Sequence, residues 1–164
     1  MAKEHHYSPT IRWTGNQGSG TSEYRAYSRE HILQVQGKPA VACSSDPAFC
    51  GDPARYNPEE LLVAALSGCH MLWYLHLCAV RGIVVVDYVD TAAGTMEEAA
   101  DGSGHFTGVV LKPHTKIAAG DVKLAEELHV VANKMCFIAN SVNFPVRHEA
   151  IIDTLVGDLP IRKT

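Results

Sequence analysis

The apolar segment at residues 61–80 constrains the fold more than any other part of the sequence. Asn57 precedes it as a potential N-cap, Pro58 suits the first helical position, and Glu60 completes the spacing of a capping box. Gly82 then supplies a C-terminal stop. The pattern therefore predicts one long helix across the segment. Apolar side chains occupy almost every direction around its axis, which is typical of a helix at the centre of a fold.

The same segment has the length and apolar character of a transmembrane helix, which is an alternative to a buried helix. It contains the polar side chains of Ser67, His70 and His76, and no second apolar segment accompanies it. A buried helix explains this composition better, and no membrane partner is expected. Residues 1–13 lack the apolar stretch that a secretory signal needs. We therefore expect a cytoplasmic protein.

The rest of the chain alternates between β-prone runs and one further helix. Strands are predicted at residues 9–13, 24–35, 83–89, 92–96, 105–117 and 146–156, with a long loop at 37–56 and a second helix from Asp121 to near Asn140. This order predicts an α+β fold, in one domain over residues 1–164, whose two long helices pack on antiparallel β-sheets. Because the first helix is apolar all round, a second copy of the chain is expected to complete its burial.

Composition excludes several classes of function. Hydrophobic residues make up 46% of the 164 residues and charged residues 20%, as in ordinary globular proteins. The net charge is -4 and the Lys and Arg residues are scattered, so no nucleic acid partner is expected. The 5 cysteines are an odd number in a chain that can build its own core, unlike a secreted disulfide framework. They are therefore expected to be buried filler, metal ligands or reagents.

Two cysteines stand out by their flanking residues, Cys69 in the middle of the first predicted helix and Cys136 in the last turns of the second. A cysteine in an apolar helix is more often a small buried hydrophobe than a reagent. Cys69 and His76 are spaced i, i+7, and so are His129 and Cys136, which suggests a zinc site. Seven helical residues span about 10.5 Å, whereas zinc ligands lie within about 4 Å of one another, so no metal is expected. His70 is a secondary candidate for tuning the thiol.

The residues around these two cysteines resemble a known family. Residues 57–70 are Asn-Pro-Glu-Glu-Leu-Leu-Val-Ala-Ala-Leu-Ser-Gly-Cys-His, and residues 135–142 are Met-Cys-Phe-Ile-Ala-Asn-Ser-Val. The first run resembles the central-helix signature of the OsmC/Ohr family, and the second is similar to the family's second-cysteine segment. The resemblance implies the OsmC-like fold, completed by an intertwined homodimer.

The resemblance also implies an activity, a two-cysteine peroxidase of the oxidative stress response. Cys69 would attack an organic hydroperoxide, alkyl or lipid, and the resulting sulfenic acid would condense with Cys136 to form a disulfide. A small dithiol or a lipoylated protein would then reduce that disulfide. No metal or other cofactor is implied.

Such an enzyme needs a Cys69 thiolate at neutral pH, and therefore a positive group near the sulfur. The resemblance implies an arginine held by Glu59, with Arg29 and Arg55 as equal candidates and Arg25 behind them. Ten helical residues span about 15 Å, so Glu59 would act through that arginine or across the dimer. The structural alternative for Glu59 is a first-turn acid favoured by the helix dipole.

Two other functions stay open from the sequence. One is a stress-related binding module of the same fold, whose apolar pocket holds a small ligand while both cysteines serve only as core residues. The other is a hydrolase that uses Cys69 with His70 or His129. Apolar side chains near the two cysteines, Leu72, Trp73, Phe137 and Ile138, are candidates for lining a pocket suited to alkyl substrates.

Overall fold

A computed structural model describes residues 3–155. Its elements are β1 (Thr10–Trp13), β2 (His31–Gln34), β3 (Val41–Cys43), α1 (Pro58–Val80), β4 (Val84–Asp90), β5 (Ala93–Glu98), β6 (Gly104–Leu111), β7 (Pro113–Ala119), α2 (Val122–Met135), β8 (Val146–His148) and β9 (Ile151–Thr154), with 3-10 helices at Pro47–Phe49 and Ala139–Ser141. The chain forms two compact units, one ending at Leu62 and one beginning at Val63. Because this boundary falls inside α1, the single domain over residues 1–164 stays a prediction.

The first unit contains a β1-β2-β3 meander, in which β1 lies within the strand predicted at residues 9–13 and β2 forms only the second part of the strand predicted at residues 24–35. The predicted loop at residues 37–56 is wrong in part, because it contains β3 and a 3-10 helix. Strand β3 is only three residues long and is held by antiparallel pairing with β2. Cys43, its last residue, also forms a parallel bridge with Tyr56.

Helix α1 begins with the predicted capping box. The side-chain oxygen of Asn57 accepts a hydrogen bond from the Glu60 N–H at 2.7 Å, and the Glu60 carboxylate accepts one from the Asn57 N–H at 3.2 Å. The helix ends at Val80, and Gly82 follows it with a positive φ of 72°, which glycine adopts without steric cost. Local chemistry therefore fixes both ends of this helix.

One face of α1 is buried, at positions four residues apart: Leu66, His70, Tyr74 and Cys78. Among residues 3–155, α1 is the one helix long and apolar enough to cross a membrane by length and composition, yet only 22% of its most apolar window is buried. A single such helix is weak support for a membrane span, because the core helix of a soluble protein has the same features. The chain alone covers α1 less completely than the predicted central position requires.

The second unit contains two mixed three-stranded sheets, β4-β7-β9 and β5-β6-β8. The pairs β4/β7 and β5/β6 are antiparallel as predicted, whereas β6/β8 and β7/β9 are parallel. The predicted strand at residues 105–117 is wrong, because it is two strands in different sheets. Between them the Lys112 N–H donates to the Asp90 carboxylate at 2.6 Å, and Pro113 has no N–H to donate. The chain therefore passes from one sheet to the other at this point.

The predicted final strand at residues 146–156 is also two strands, β8 and β9, in different sheets. The Glu149 N–H donates to the Leu111 carbonyl at 2.8 Å where β8 ends, beside the point at which β6 ends. The last residue of that predicted strand, Val156, lies outside the described residues. The two closing strands thus follow the same change of sheet as β6 and β7.

Helix α2 begins at the predicted cap, where the Asp121 carboxylate accepts the Leu124 N–H at 2.7 Å. Its predicted end near Asn140 is wrong, because α2 ends at Met135 and Cys136 has extended backbone at ψ 112°. A 3-10 helix then follows at Ala139–Ser141. Cys136 is therefore the C-terminal cap of α2 and not part of its last turns. Apolar side chains of α2, including Leu128, pack with those of α1, β4 and β7 in one buried cluster.

Candidate thiol site

The side chains of Cys69 and Cys136 are neighbours in the second unit. Cys69 is half-buried on α1, and Cys136 is 1% exposed at the C-terminal cap of α2. Burial, and then hydrogen bonding with the Cys69 thiol, raises the pKa of Cys136 to about 11. The structure therefore brings together the two cysteines that the sequence singles out.

The turn after α2 gives the buried thiol of Cys136 a polar partner. The Ala139 N–H donates to the Cys136 sulfur at 3.4 Å, and the backbone at Ile138 also lowers the pKa of this thiol. Burial is the larger effect, so the pKa remains above its usual range. At neutral pH Cys136 is consequently a protonated thiol.

The other three cysteines lie elsewhere, and all five are free thiols. Cys43 is fully buried at the end of β3. Cys50 has left-handed backbone with φ 62° in the loop that follows. Cys78 is buried on α1 in the cluster around Tyr74, and burial raises the pKa of its thiol. The expectation that all three are dispensable stays a prediction.

Aromatic side chains from both thiol-bearing segments lie in contact. The ring of Trp73 on α1 meets the ring of Phe137 edge-on at 5.5 Å, and Trp73 also contacts His76 at 5.9 Å. Phe137 is 69% exposed and Leu72 is 65% exposed. Ile138 instead packs against the buried cluster of Leu66, Val109 and Leu111. Of the four predicted pocket-lining residues, three thus present apolar surface near the cysteines, and Ile138 belongs to the core.

Arg29 is held within the first unit by two tyrosines. Its guanidinium donates to the carbonyls of Tyr27 at 2.7 Å and Tyr24 at 2.6 Å. It also lies over both rings, 4.4 Å from the centroid of Tyr24 and 4.1 Å from that of Tyr27. This arginine therefore has a fixed position in the loop before β2.

Arg55 pairs with two carboxylates of the first unit, Glu30 at 3.1 Å and Asp52 at 3.3 Å. Arg25 is exposed. Within residues 3–155 Glu59 takes part in no salt bridge, so the expected ion pair between Glu59 and an arginine is not formed inside this chain. The roles of Glu59, Arg29 and Arg55 in activating Cys69 stay predictions.

A buried cluster of histidines begins at His70, the residue that follows Cys69 on α1, and the sequence did not predict it. The Nε2 of His70 on α1 is 3.0 Å from the Nδ1 of His129 on α2, and both side chains are fully buried. The ring of Tyr74 stacks on that of His129 at 3.7 Å between centroids. His148 on β8 covers the pair, with centroids at 5.6 and 6.0 Å. The four-residue spacing that places His70 and Tyr74 on one buried face of α1 was the signal in the sequence that both could contact the same side chain of another element.

The environment of this cluster keeps its histidines neutral. Burial, and then the nearby ring of His148, lowers the pKa of His70 to about 4. Burial, and then the rings of His70 and His148, lowers the pKa of His129 to about 3. The pKa of His148 is also lowered by burial. Within residues 3–155 no three His, Cys, Asp or Glu side chains are arranged to hold a metal ion.

The match to a protein family decides what kind of chain this is. Residues 51–150 match the family model described as OsmC-like protein. The chain belongs to the OsmC-like family. The predicted family and the predicted α+β fold are thereby confirmed, whereas the predicted homodimer stays a prediction.

Solved structures of this family share the fold. An OsmC-like protein of unknown function from Vibrio cholerae O1 biovar eltor has 32% sequence identity and a TM-score of 0.80, over 90% of this chain and 100% of that one. An organic hydroperoxide resistance protein OsmC from Legionella pneumophila has 16% identity and a TM-score of 0.61, over 92% and 99%. An organic hydroperoxide resistance protein from Elizabethkingia anophelis has 15% identity and a TM-score of 0.62, over 93% and 99%. Among curated proteins, none matches this chain significantly.

Proposed function

We propose that this OsmC-like protein is a thiol-dependent peroxidase that reduces organic hydroperoxides, alkyl or lipid, to alcohols. The observation that carries the proposal is the pair of neighbouring thiols, one half-buried at Cys69 and one buried at Cys136. The more accessible sulfur suits the group that meets the peroxide, and the buried one suits the group that resolves the product. Two proteins of similar fold are described as organic hydroperoxide resistance proteins.

The first step consumes one thiol and one hydroperoxide. Cys69, after losing its proton, attacks the terminal oxygen of ROOH, so that an S–O bond forms as the O–O bond breaks. The departing alkoxide takes up a proton and leaves as ROH. Cys69 is then a sulfenic acid, two electrons more oxidised than the thiol.

The second step uses the thiol of Cys136, which gives up its proton as its sulfur attacks, because the thiolate is the nucleophile. Its sulfur attacks the sulfur of the Cys69 sulfenic acid, an S–S bond forms, and the hydroxyl leaves with the Cys136 proton as water. Because the pKa of Cys136 is about 11, its proton is available at neutral pH. A dithiol, either a small molecule or a lipoyl group on a protein, then reduces the disulfide by exchange and is itself oxidised to a disulfide.

Activation of Cys69 is assigned to an arginine, either Arg29 or Arg55, with Glu59 as its partner in the active assembly. Two variants separate the candidates, Arg29→Gln and Arg55→Gln, measured as kcat/KM for an alkyl hydroperoxide. Loss of the activating cation is expected to cost up to about 30-fold, because a thiol at its reference pKa of about 8.5 is only about 3% ionised at pH 7. The other variant should retain most of its activity.

We also propose that the active form is a cytoplasmic homodimer whose interface covers α1. This helix is apolar all round, yet its exposed side includes Leu72 at 65% and Val80 at 62% exposure. Burial of such side chains stabilises a protein by roughly 1.5–3 kcal/mol each, which favours a second copy over solvent as the neighbour of this face. No part of the mechanism requires a metal or an organic cofactor.

The experiment that tests the function is consumption of an alkyl hydroperoxide in the presence of dihydrolipoamide. The wild-type protein should turn over, whereas Cys69→Ser and Cys136→Ser should not. Cys78→Ser is the matched control, because Cys78 is buried on the same helix and has no role in the cycle. Turnover that persists in Cys69→Ser would exclude the mechanism.

A second candidate function, a small-ligand binding module of the same fold, is favoured by one observation. Neither Arg29 nor Arg55 pairs with Glu59 in residues 3–155, so the expected activating ion pair is not formed within this chain. This candidate predicts that an alkyl ligand binds while both thiols survive excess hydroperoxide. The Cys/His hydrolase has less support, since the Nε2 of His70 and the Nδ1 of His129 face each other.

A further inference from the structure

His129 of α2 packs between two side chains of α1. It lies between His70 and Tyr74, bonded to the ring of the first at 3.0 Å and stacked on the ring of the second at 3.7 Å. His148 of β8 closes the cluster from a third element. The hydrogen bond to His70 fixes the orientation of the His129 ring, and the stack on Tyr74 fixes its position along α1. Together these two contacts set how α2 packs against α1 beside the two cysteines.

The two ring-bearing helices are also the segments that carry the thiols. Cys69 directly precedes His70 on α1, and Cys136 follows His129 by seven residues. Seven residues are about 10.5 Å along a helix and close to two full turns, so His129 and Cys136 lie on the same side of α2. A shift of His129 from its position between His70 and Tyr74 would therefore move the Cys136 sulfur relative to the Cys69 sulfur.

The cluster is costly, which argues for a role beyond filling space. Among residues 3–155, neither the Nδ1 of His70 nor the Nε2 of His129 has a hydrogen-bond partner, and both atoms are buried. Whichever ring donates the proton between them, one buried N–H and one buried lone pair remain unpaired. Each unpaired group carries the cost of its removal from water, whereas apolar side chains of the same volume would avoid this cost. What apolar packing would lack is the directional bond that selects one arrangement of the helices.

We propose that His129, held between His70 and Tyr74, is the positioning residue that sets the Cys136 thiol against the Cys69 thiol. The inference deepens the proposed function, because it concerns formation of the disulfide that the peroxidase cycle requires. It does not need the peroxide step, since the geometry acts on any reaction that joins the two sulfurs. His129 itself touches no reacting atom in this account.

The test is the equilibrium between the full-length protein and glutathione at pH 7. The two thiols pass two electrons and two protons to glutathione disulfide, giving the Cys69–Cys136 disulfide and two glutathione molecules. The equilibrium constant gives the effective concentration of one thiol at the other, with Cys43, Cys50 and Cys78 replaced by serine in every variant. His129→Ala is expected to lower it at least tenfold, and His129→Gln, which keeps a hydrogen-bond acceptor for His70, should recover part of the loss.

Leu128→Ala is the matched control, because Leu128 is 2% exposed on the same helix and packs in the apolar cluster around Tyr74, but takes no part in the hydrogen bond between His70 and His129. It should lower thermal stability and leave the effective concentration within about twofold. The proposal is overturned if folded His129→Ala matches the wild type, or if Leu128→Ala lowers the effective concentration equally. If His129→Ala does not fold, His129→Leu decides, because leucine fills much of the space of the ring without forming the hydrogen bond to His70, and a wild-type effective concentration in that variant overturns the proposal.

This experiment is separate from the test of the proposed function. A protein whose thiols ignore hydroperoxides can still show a high effective concentration that depends on His129. Conversely, an active peroxidase whose disulfide equilibrium is indifferent to His129 would leave the function intact and remove only the positioning role.

Discussion

The buried thiol of Cys136 lies beside the half-buried thiol of Cys69, at the point where α2 ends against α1. The relationship is asymmetric, since burial keeps the proton on Cys136 while the other sulfur is nearer to solvent. This asymmetry is the reason why the proposed mechanism gives the attacking role to Cys69 and the resolving role to Cys136.

The Cys136→Ser variant should accumulate the Cys69 sulfenic acid. Without a resolving thiol the first step still proceeds, but no disulfide can follow, so the oxidised form persists. Treatment with one equivalent of alkyl hydroperoxide and a dimedone-type trap should give one adduct per chain, located on Cys69 by peptide mapping. The wild type should give little adduct, and a Cys136→Ser protein that yields none would contradict the order of the two steps.

Acid should destabilise the protein through the histidine cluster. Burial lowers the pKa of His70 to about 4 and that of His129 to about 3, whereas both groups titrate near 6.5 in the unfolded chain. The stability that the neutral rings contribute is therefore complete above pH 6.5 and is lost as the pH falls toward 4 and 3. Each group contributes a slope of about 1.4 kcal/mol per pH unit within its range.

Urea unfolding between pH 7.5 and pH 4.5 measures this slope. His129→Gln removes one titrating ring and should be less sensitive to pH, while His76→Gln, at an exposed position of α1, should match the wild type. Unfolding free energies that do not change over this interval would show that the cluster is not held neutral by burial.

Loss of the N-terminal cap should weaken α1. Asn57 is 6% exposed and its side chain accepts the Glu60 N–H at 2.7 Å, so Asn57→Ala leaves that donor unpaired. The expected cost is about 1 kcal/mol in the free energy of unfolding, measured by urea denaturation. Glu60→Gln is the control, because glutamine also serves in a capping box. Equal losses in the two variants would argue against a specific cap.

A charge on the exposed face of α1 should dissociate the proposed homodimer. Leu72→Glu places a carboxylate where the account expects a buried apolar contact, so sedimentation should show a monomer at concentrations where the wild type is dimeric. Val130→Glu is the matched control, since Val130 is also apolar and is 47% exposed, but lies on α2 and not on α1. A wild-type protein that is monomeric, or a Leu72→Glu protein that remains dimeric, would contradict an interface over α1.

Features set by neighbouring residues were predictable from the sequence. The capping box of α1 and the Asp121 cap of α2 depend on side chains within four residues of the backbone groups they bond. The glycine stop of α1 depends on the backbone conformation of one residue, Gly82. Cys69 and Cys136 were found because their flanking residues resemble those of a family. Both kinds of signal are contained in short runs of sequence.

Features that depend on distant partners were not predictable in this way. Apolar periodicity indicates a strand but not its neighbour, so the parallel pairing of β8 with β6 and of β9 with β7 was missed. Strand β3 is too short to show a period. His70, His129 and His148 come from three elements far apart in the chain, and only the packing of α1, α2 and β8 brings their rings together.

The most direct test of the central claim is intact mass and free-thiol titration of the reduced protein before and after one equivalent of an alkyl hydroperoxide. Peptide mapping then locates any new bond. The account predicts rapid loss of two thiols, a mass decrease of about two hydrogens, and a disulfide that joins Cys69 to Cys136. Survival of both thiols in excess hydroperoxide, or a disulfide that involves Cys43, Cys50 or Cys78 instead, would contradict it.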